Sequence, residues 1–557
     1  MELLLDAFAS DARSEPTTFC HFIQSGGETK ITYADLRKGA SRYAHFYSMN
    51  GIQRGEVVVI ILRHSPELIY AFLGAMLAGG IPSFMPPPTS KQDSRVYWSS
   101  HQQLFARING GVLLTGIAFA PAIRENLPDL PLRLLIAEEA VDQPLQFAAS
   151  SAKAADIAFL QHSSGTTGLK KGVALSHTAV LTQIASYAAA LQLSPSDRIV
   201  SWLPLYHDMG LIACFLLPLV TRTPVIMIDP FEWVVNPTLL FDAIKQYRGT
   251  LCWQPNFAFH HLARTVRTSA RLDLSSMRAW IDCSEPCRAE TFELFERKFA
   301  TAGVRPDQLQ VCYAMAETVF AITQTPVGQP PRILAIDAET MGMEQRAQGI
   351  SVDSAHQVVL STGRAISGLY IRIVDAERRP LPDGSVGEIC VSGDCLFSGY
   401  HRLPSETRRK LYEGWYYTGD RGFLRDGELY VTGRNHDLII VHGRNYYAHE
   451  LEFIVNQAPH VHPGRTVATG WFRPEVGSEE VIIIAETDRI AETERILLAQ
   501  AIKDLLLSAT GLAVFDVHLV PTGWVIKTTS GKLSRVDNLQ KYLAALAGAR
   551  PEPAPMS

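Results

Sequence analysis

Residues 57–62 (Val-Val-Val-Ile-Ile-Leu) form an unbroken apolar run in which every residue but the last is β-branched. A strand without polar alternation has to be buried on both faces, which confines it to a parallel sheet covered by helices on each side. Directly after it, Ser65-Pro66-Glu67 supplies an N-cap hydroxyl, a first-turn proline and an acidic residue. The helical pattern that follows stops at Gly79-Gly80. Strand, helix and return match the length of one parallel crossover. The alternation recurs, with strands predicted at 199–203, 224–228, 250–254, 279–283 and 310–313 and helices between them, for example at 237–247 and 288–299. The expected fold class is α/β, a large N-terminal region of parallel α/β sheets.

The texture changes after about residue 360. Segments 370–374, 386–391 and 427–431 alternate or turn tightly, which predicts an antiparallel, β-rich subdomain over about 360–432. Beyond Gly433 a smaller α+β pattern follows, with strands at 438–441, 481–485 and 514–520 and helices at 449–456 and 492–507. Residues 549–557 are proline-rich and are expected to be a disordered tail.

At 557 residues the chain exceeds what one hydrophobic core can organise, so at least two domains are expected. Its 51 basic and 56 acidic residues include no Lys/Arg run, which argues against a nucleic-acid platform. The eight cysteines show no C-x-x-C and no pairs at zinc spacing, and read as buried free thiols. The N-terminus lacks the basic region of a secretory signal. The longest apolar run, 209–220, is too short to span a bilayer. A reducing cytoplasm is the expected compartment.

A predicted strand at 157–162 runs into Ser163-Ser164-Gly165-Thr166-Thr167-Gly168-Leu169-Lys170-Lys171-Gly172. Glycines permit a tight backbone, amides and hydroxyls can wrap phosphate oxygens, and a lysine can neutralise charge. The loop is not a Walker motif, and alone it is also compatible with a hydrophilic hairpin. Four further motifs follow in order: Tyr313-Ala314-Met315-Ala316-Glu317-Thr318, Tyr417-Thr418-Gly419-Asp420, Gly433-Arg434-Asn435-His436-Asp437 and Thr528-Thr529-Ser530-Gly531-Lys532. With these five motifs the sequence resembles the adenylate-forming superfamily over nearly its whole length.

That resemblance implies roles position by position. Tyr313 would stack on the adenine of ATP, within a nucleotide site formed by Ser163, Ser164, Gly165, Thr166, Thr167, Gly168, Lys171, Ser284, Ala314, Met315, Ala316 and Thr318. Asp420 would accept the ribose hydroxyls and Arg434 would contact ribose and phosphate. Glu317, with Thr166, would hold Mg2+, since a hard cation bridging phosphates needs oxygen ligands. Lys532 would lie between substrate carboxylate and α-phosphate, where two anions must meet. The resemblance also implies an N-terminal domain over 1–432, a hinge at 433–437 with His436 at its pivot, and a mobile C-terminal lid over 438–548.

Further stretches narrow the branch. They are Ser201-Trp202-Leu203-Pro204-Leu205-Tyr206-His207-Asp208-Met209-Gly210-Leu211, Gln254-Pro255-Asn256-Phe257-Ala258 and Glu285-Pro286 with Arg288-Ala289-Glu290-Thr291. Together they resemble the fatty acyl-AMP ligases, which load fatty acids onto the phosphopantetheine of acyl carrier proteins for polyketide or lipopeptide assembly. Residues 324–358 resemble the insertion associated in that family with failure to use coenzyme A; as residues alone they are equally a surface loop. His207 would border the acyl and phosphopantetheine path in a catalytic role, or be a core histidine. Some positions depart from the pattern: Lys170 replaces a usual proline, and Asp282-Cys283-Ser284 stands where relatives carry small residues. Two alternatives stay open, a fatty acyl-CoA ligase and a non-catalytic acyl or nucleotide sensor.

Overall fold

The computed structural model describes residues 1–9, 17–24, 27–89, 94–140, 152–163, 171–268, 272–337, 347, 356–441, 444–473, 475, 478–489, 491–527 and 532–548. The predicted crossover is present as the strand Val57–Ile61, the helix Pro66–Leu77 and the strand Ile81–Phe84. Val57–Ile61 is flanked in parallel by Ile81–Phe84 and Val112–Thr115, and Arg133–Ile136 completes a four-stranded sheet. All five of its residues are buried, as the apolar run demands. Ser65 stands at the N-cap position, but its hydroxyl donates to the Arg63 carbonyl at 3.1 Å instead of capping the helix.

A second, nine-stranded sheet carries the remaining predicted strands. Its centre consists of Val225–Ile228, Ile199–Ser201, β1 (Leu251–Gln254), β2 (Ala279–Cys283) and β3 (Leu309–Ala314), parallel to one another, and Ala321–Gln324 then pairs antiparallel with β3. Helix α1 (Ala289–Phe299) runs between β2 and β3 and covers one face, where Phe295 and Phe299 interlock edge-on with Trp280 and Phe241. Ile199–Ser201 is shorter than predicted because the chain leaves the sheet ahead of Pro204, which has no N–H for a ladder. The strand Thr18–Gln24, the edge strand Gly27–Thr32 and the helix Tyr33–Met49 were not anticipated from the sequence. The apolar run after Pro204 is wound as a π-helix over Met209–Leu216, a form concentrated at functional sites.

The β-rich subdomain is antiparallel: Leu369–Val374, Gly387–Gly393, β4 (Trp415–Arg425) and β5 (Glu428–Arg434). The arms of the long segment after β3, Ile333–Asp337 and His356–Leu360, pair as an antiparallel ribbon. Ile336 and Val359 pack onto Val386, Phe423 and Tyr430, so the described part of the insertion is docked on this subdomain. The small C-terminal region has its own core around Leu451, Ile483, Ile502 and Leu519. It contains α2 (Ala448–Val455), a three-stranded sheet centred on β6 (Ser478–Thr487) and α3 (Arg535–Gly548). At the junction, a Cβ on Gly433 would stand 2.4 Å from the Tyr447 ring, so only glycine lets the two regions approach there.

Candidate active site

The predicted site residues gather at the carboxyl ends of β1, β2 and β3, where open α/β sheets place ligands. β3 ends on Tyr313 and Ala314, Met315 is extended, and Ala316–Thr318 make one tight turn. Val319 follows at φ 64° with Phe320 N–H bonding Thr318 O at 2.7 Å, a strained three-residue turn for a β-branched side chain. That turn aims the Glu317 carboxylate inward, where it is 8 % exposed and accepts the Tyr400 hydroxyl at 2.7 Å. Tyr400 arrives because Gly399–Tyr400 pairs with Lys171–Ser176, the strand leaving the phosphate loop. Lys171 ion-pairs Glu406 at 2.9 Å and lies 5.0 Å over the Tyr400 ring.

Asp420 and Arg434 face each other in register on β4 and β5. Arg434 Nε lies 2.9 Å from Asp420 Oδ1, and the Tyr313 hydroxyl donates to Asp420 Oδ2 at 2.7 Å. Asp420 therefore holds one hydrogen bond and one ion pair and keeps acceptor capacity for more donors. Burial, and then the Asp420 charge, push the Tyr313 phenol well above its ordinary value, while Asp420 raises the Arg434 guanidinium. Tyr313, Asp420 and Arg434 are thus tied into one unit.

The opposite wall is acidic. His207 Nδ1 lies 2.6 Å from Asp208 Oδ1, as a close electrostatic contact without hydrogen-bond alignment. Burial pushes the Asp208 carboxyl up, but His207, Lys532 and the Met209 N–H outweigh it and hold it below the usual carboxylate value. Glu285 accepts the Phe257 N–H at 3.0 Å; its pKa is raised by burial and countered in part by Phe257, Lys532, Lys527 and His207. Ser284 follows β2 in the left-handed region at φ 72°. Lys532, from the C-terminal region, lies within electrostatic reach of Arg434, Asp208, Glu285 and Cys283; burial and then Arg434 lower its pKa. A cation from the small region thus shares the electrostatic neighbourhood of Arg434 and of the acidic wall.

The structure therefore brings together Tyr313, Glu317, Asp420, Arg434, His207, Ser284 and Lys532. Ser163 closes the strand Ile157–Ser163. Ser164, Gly165, Thr166, Thr167 and Gly168, the His436 side chain and the tail 549–557 lie outside the described residues. Among the described residues no cluster of three His, Cys, Asp or Glu could hold a metal, and no helix is long and apolar enough to cross a membrane. Sequence reasoning missed Tyr400, and it quoted Asp208 and Glu285 without assigning them a part. It likewise quoted Arg288 without a part; its guanidinium lies 3.8 Å from the Phe453 ring of α2 and donates to His449 O at 3.2 Å across the two regions.

A family model described as AMP-binding enzyme matches residues 8–401. The chain is similar to JamA, a medium-chain-fatty-acid–[acyl-carrier-protein] ligase of Moorena producens. The two are 29 % identical over 549 residues, covering 94 % of this chain and 92 % of that protein. It is 32 % identical over 521 residues to a 4-hydroxyphenylalkanoate adenylyltransferase of Mycobacterium marinum, covering 88 % and 82 % of the two chains. Among solved structures, one from a study of fatty acyl-adenylate ligases of E. coli and L. pneumophila superposes with a TM-score of 0.89 at 28 % identity, covering 98 % of this chain and 99 % of that one.

Proposed function

The chain belongs to the AMP-binding enzyme family and is an adenylate-forming ligase of the fatty acyl-AMP ligase type. From that premise we propose that it activates a fatty acid with ATP and passes the acyl group to the phosphopantetheine thiol of an acyl carrier protein. In the first step a carboxylate oxygen attacks the α-phosphorus, the bond to the β-phosphate oxygen breaks, and pyrophosphate leaves. In the second the thiol sulfur attacks the acyl carbon, AMP leaves, and the thiol proton is released.

The observation that carries this reading is that Lys532, buried and from the small region, shares one electrostatic neighbourhood with Arg434, Asp208 and Glu285, beside the ion-paired Asp420 and Arg434. Two anions approaching each other in a partly desolvated cleft repel strongly, and a fixed ammonium at their meeting point lowers that barrier. Tyr313 and Asp420 hold adenosine, Arg434 reaches ribose and phosphate, and His207 borders the acyl side. A divalent cation such as Mg2+ fits the donor set, because Glu317 offers a buried carboxylate and phosphates supply further hard oxygens. Glu317, with Thr166, would hold it, and it would neutralise charge on the leaving pyrophosphate. Residues 433–437 serve as the hinge between the domains at 1–432 and 438–548, with His436 in it.

The acceptor assignment is supported by the similarity to a carrier-protein ligase and by the insertion ribbon docked on the β-rich subdomain. The test offers a ladder of fatty acids with ATP and Mg2+, then coenzyme A or a phosphopantetheinylated carrier, and identifies products by mass. Acyl-AMP followed by acylated carrier is the expected result. A coenzyme A thioester in place of acylated carrier reassigns the acceptor, and failure to form any adenylate removes the proposal.

A further inference from the structure

The Lys532 side chain is long and flexible, so its placement depends on what holds the backbone on either side. Lys527 and Leu533 form an antiparallel bridge, and Ser534 N–H donates to Ile526 O at 3.2 Å. Ile526 and Lys527 are thus joined to Leu533 and Ser534, the two residues after Lys532. Ile526 and Ser534 are both tied to a single side chain, Asn538 in the first turn of α3. Ile526 N–H donates to Asn538 Oδ1 at 2.9 Å. Asn538 Nδ2 donates to Ile526 O at 2.8 Å and to Ser534 O at 2.7 Å. Asn538 is 0 % exposed.

A helix has no need of this arrangement. Asparagine in a helical turn competes with the backbone and is favoured only where its amide has other work. The bond to Ser534 O is local, but the pair to Ile526 reaches twelve residues back and adds nothing to α3 itself. The rest of the frame is equally specific. Buried Glu486 on β6 accepts the Val525 N–H at 2.8 Å, and Lys541, one turn beyond Asn538, donates to Trp524 O at 2.7 Å. At its start α3 is anchored by Arg535, which pairs with Asp437 at 2.9 Å and with Glu452 at 2.7 Å. One helix therefore joins Asp437, the last residue of the proposed hinge, to Ile526 and Ser534.

We infer that Asn538 is a positioning residue for adenylate formation: its amide ties Ile526 to Ser534, two residues past Lys532, and so sets where the ammonium stands. This rests on the role proposed for Lys532. Misplacing a reacting group by about 1 Å costs on the order of 10²-fold in rate, whereas acyl transfer from a ready-made adenylate requires no meeting of two anions and is indifferent to Lys532.

The experiment compares full-length wild type, Lys532→Ala, Asn538→Ala and Asn538→Asp in two assays. One is pyrophosphate release with fatty acid and ATP, and the other is acyl transfer from supplied acyl-AMP to pantetheine. For Asn538→Ala, kcat for adenylation should fall roughly 10- to 10²-fold, with KM for ATP and acid within about twofold and pantetheine acylation kept. Asn538→Asp retains an acceptor for Ile526 N–H and loses both donors, so it should fall between wild type and Asn538→Ala. Normal adenylation in Asn538→Ala overturns the inference. So does equal loss of both steps in both Asn538 variants, which would mark a merely structural residue. If Lys532→Ala itself adenylates normally, the lysine role fails first, whatever Asn538 does.

Discussion

The two sides of the cleft are built on different principles. On the nucleotide side, Tyr313, Asp420 and Arg434 sit on strands and are bonded to one another, Asp420 to Tyr313 at 2.7 Å and to Arg434 at 2.9 Å. Their geometry is set before any ligand arrives, and it belongs to the large region, apart from the junction at Gly433. On the chemical side, Lys532 comes from the small region with its separate core, and its position depends on how the regions are docked. In the proposed reading, recognition is held rigid and the reactive charge is delivered, so the cleft would keep its nucleotide while the cation is withdrawn between the two proposed steps.

The sharpest way to break the comparison is to remove the delivered charge. Lys532→Ala should reduce adenylate formation roughly 10²–10³-fold, the loss expected for one preorganised transition-state donor, with KM for ATP nearly unchanged. Pyrophosphate exchange measures it, and near-normal exchange would end the assignment. Asp420→Asn should do the reverse. It weakens the bond to Arg434 and one ribose contact, and bonds to charged groups contribute about 1.5–3 kcal/mol. KM for ATP should therefore rise roughly 10- to 10²-fold with a smaller change in kcat. A fall in kcat with KM unmoved would show that the nucleotide wall also acts in the chemical step.

How much of this was legible in sequence follows the same division. Val57–Ile61 could only be a doubly covered parallel strand, and Tyr313, Glu317, Asp420, Arg434 and Lys532 each lie in a short motif that carries the family resemblance from which their proposed roles come. What stayed hidden depends on distant partners. Nothing around Tyr400 announces a hydroxyl on Glu317, because the contact exists only through the pairing of Gly399–Tyr400 with the strand beyond the phosphate loop. Arg288 sat in a quoted motif, yet its partners are Phe453 and His449 in the other region. Asn538 looks like an ordinary surface residue of an amphipathic helix, and its buried amide is visible only once the Ile526 backbone lies against it. The insertion was legible as extra length, but its ribbon was not.

The interface between the regions sharpens the contrast through pH. Burial pushes the Glu450 carboxyl up to about 7, with Arg288 partly offsetting it. When the regions part, Glu450 regains water and its ordinary value near 4.5. The docked arrangement then binds the extra proton, so docking is favoured at low pH, and that advantage is lost as pH rises through about 7. Between pH 6 and pH 8 the docked population should fall by up to about tenfold, and adenylation should decline with it. Glu450→Gln should flatten this arm of the profile. An unchanged arm in that variant would place the titrating group elsewhere.

The smallest expected effect tests whether docking is a separable property at all. Arg288 belongs to the large region, at the start of α1, and touches the small one through the Phe453 face and the His449 carbonyl. A partly desolvated cation–π contact is worth about 0.5–2 kcal/mol. Arg288→Ala should therefore slow adenylation only a few-fold while leaving transfer from supplied acyl-AMP intact or slightly faster, because only the docked arrangement loses a contact. Since Arg288 also opposes the raised Glu450 carboxyl, its loss should move the pH arm upward, and Arg288→Ala with Glu450→Gln should be non-additive in a double-mutant cycle. If Arg288→Ala instead slows both steps alike and the cycle is additive, the contact stabilises the fold without choosing between arrangements, and the delivered charge would have to be controlled from the hinge side, where Arg535 holds Asp437.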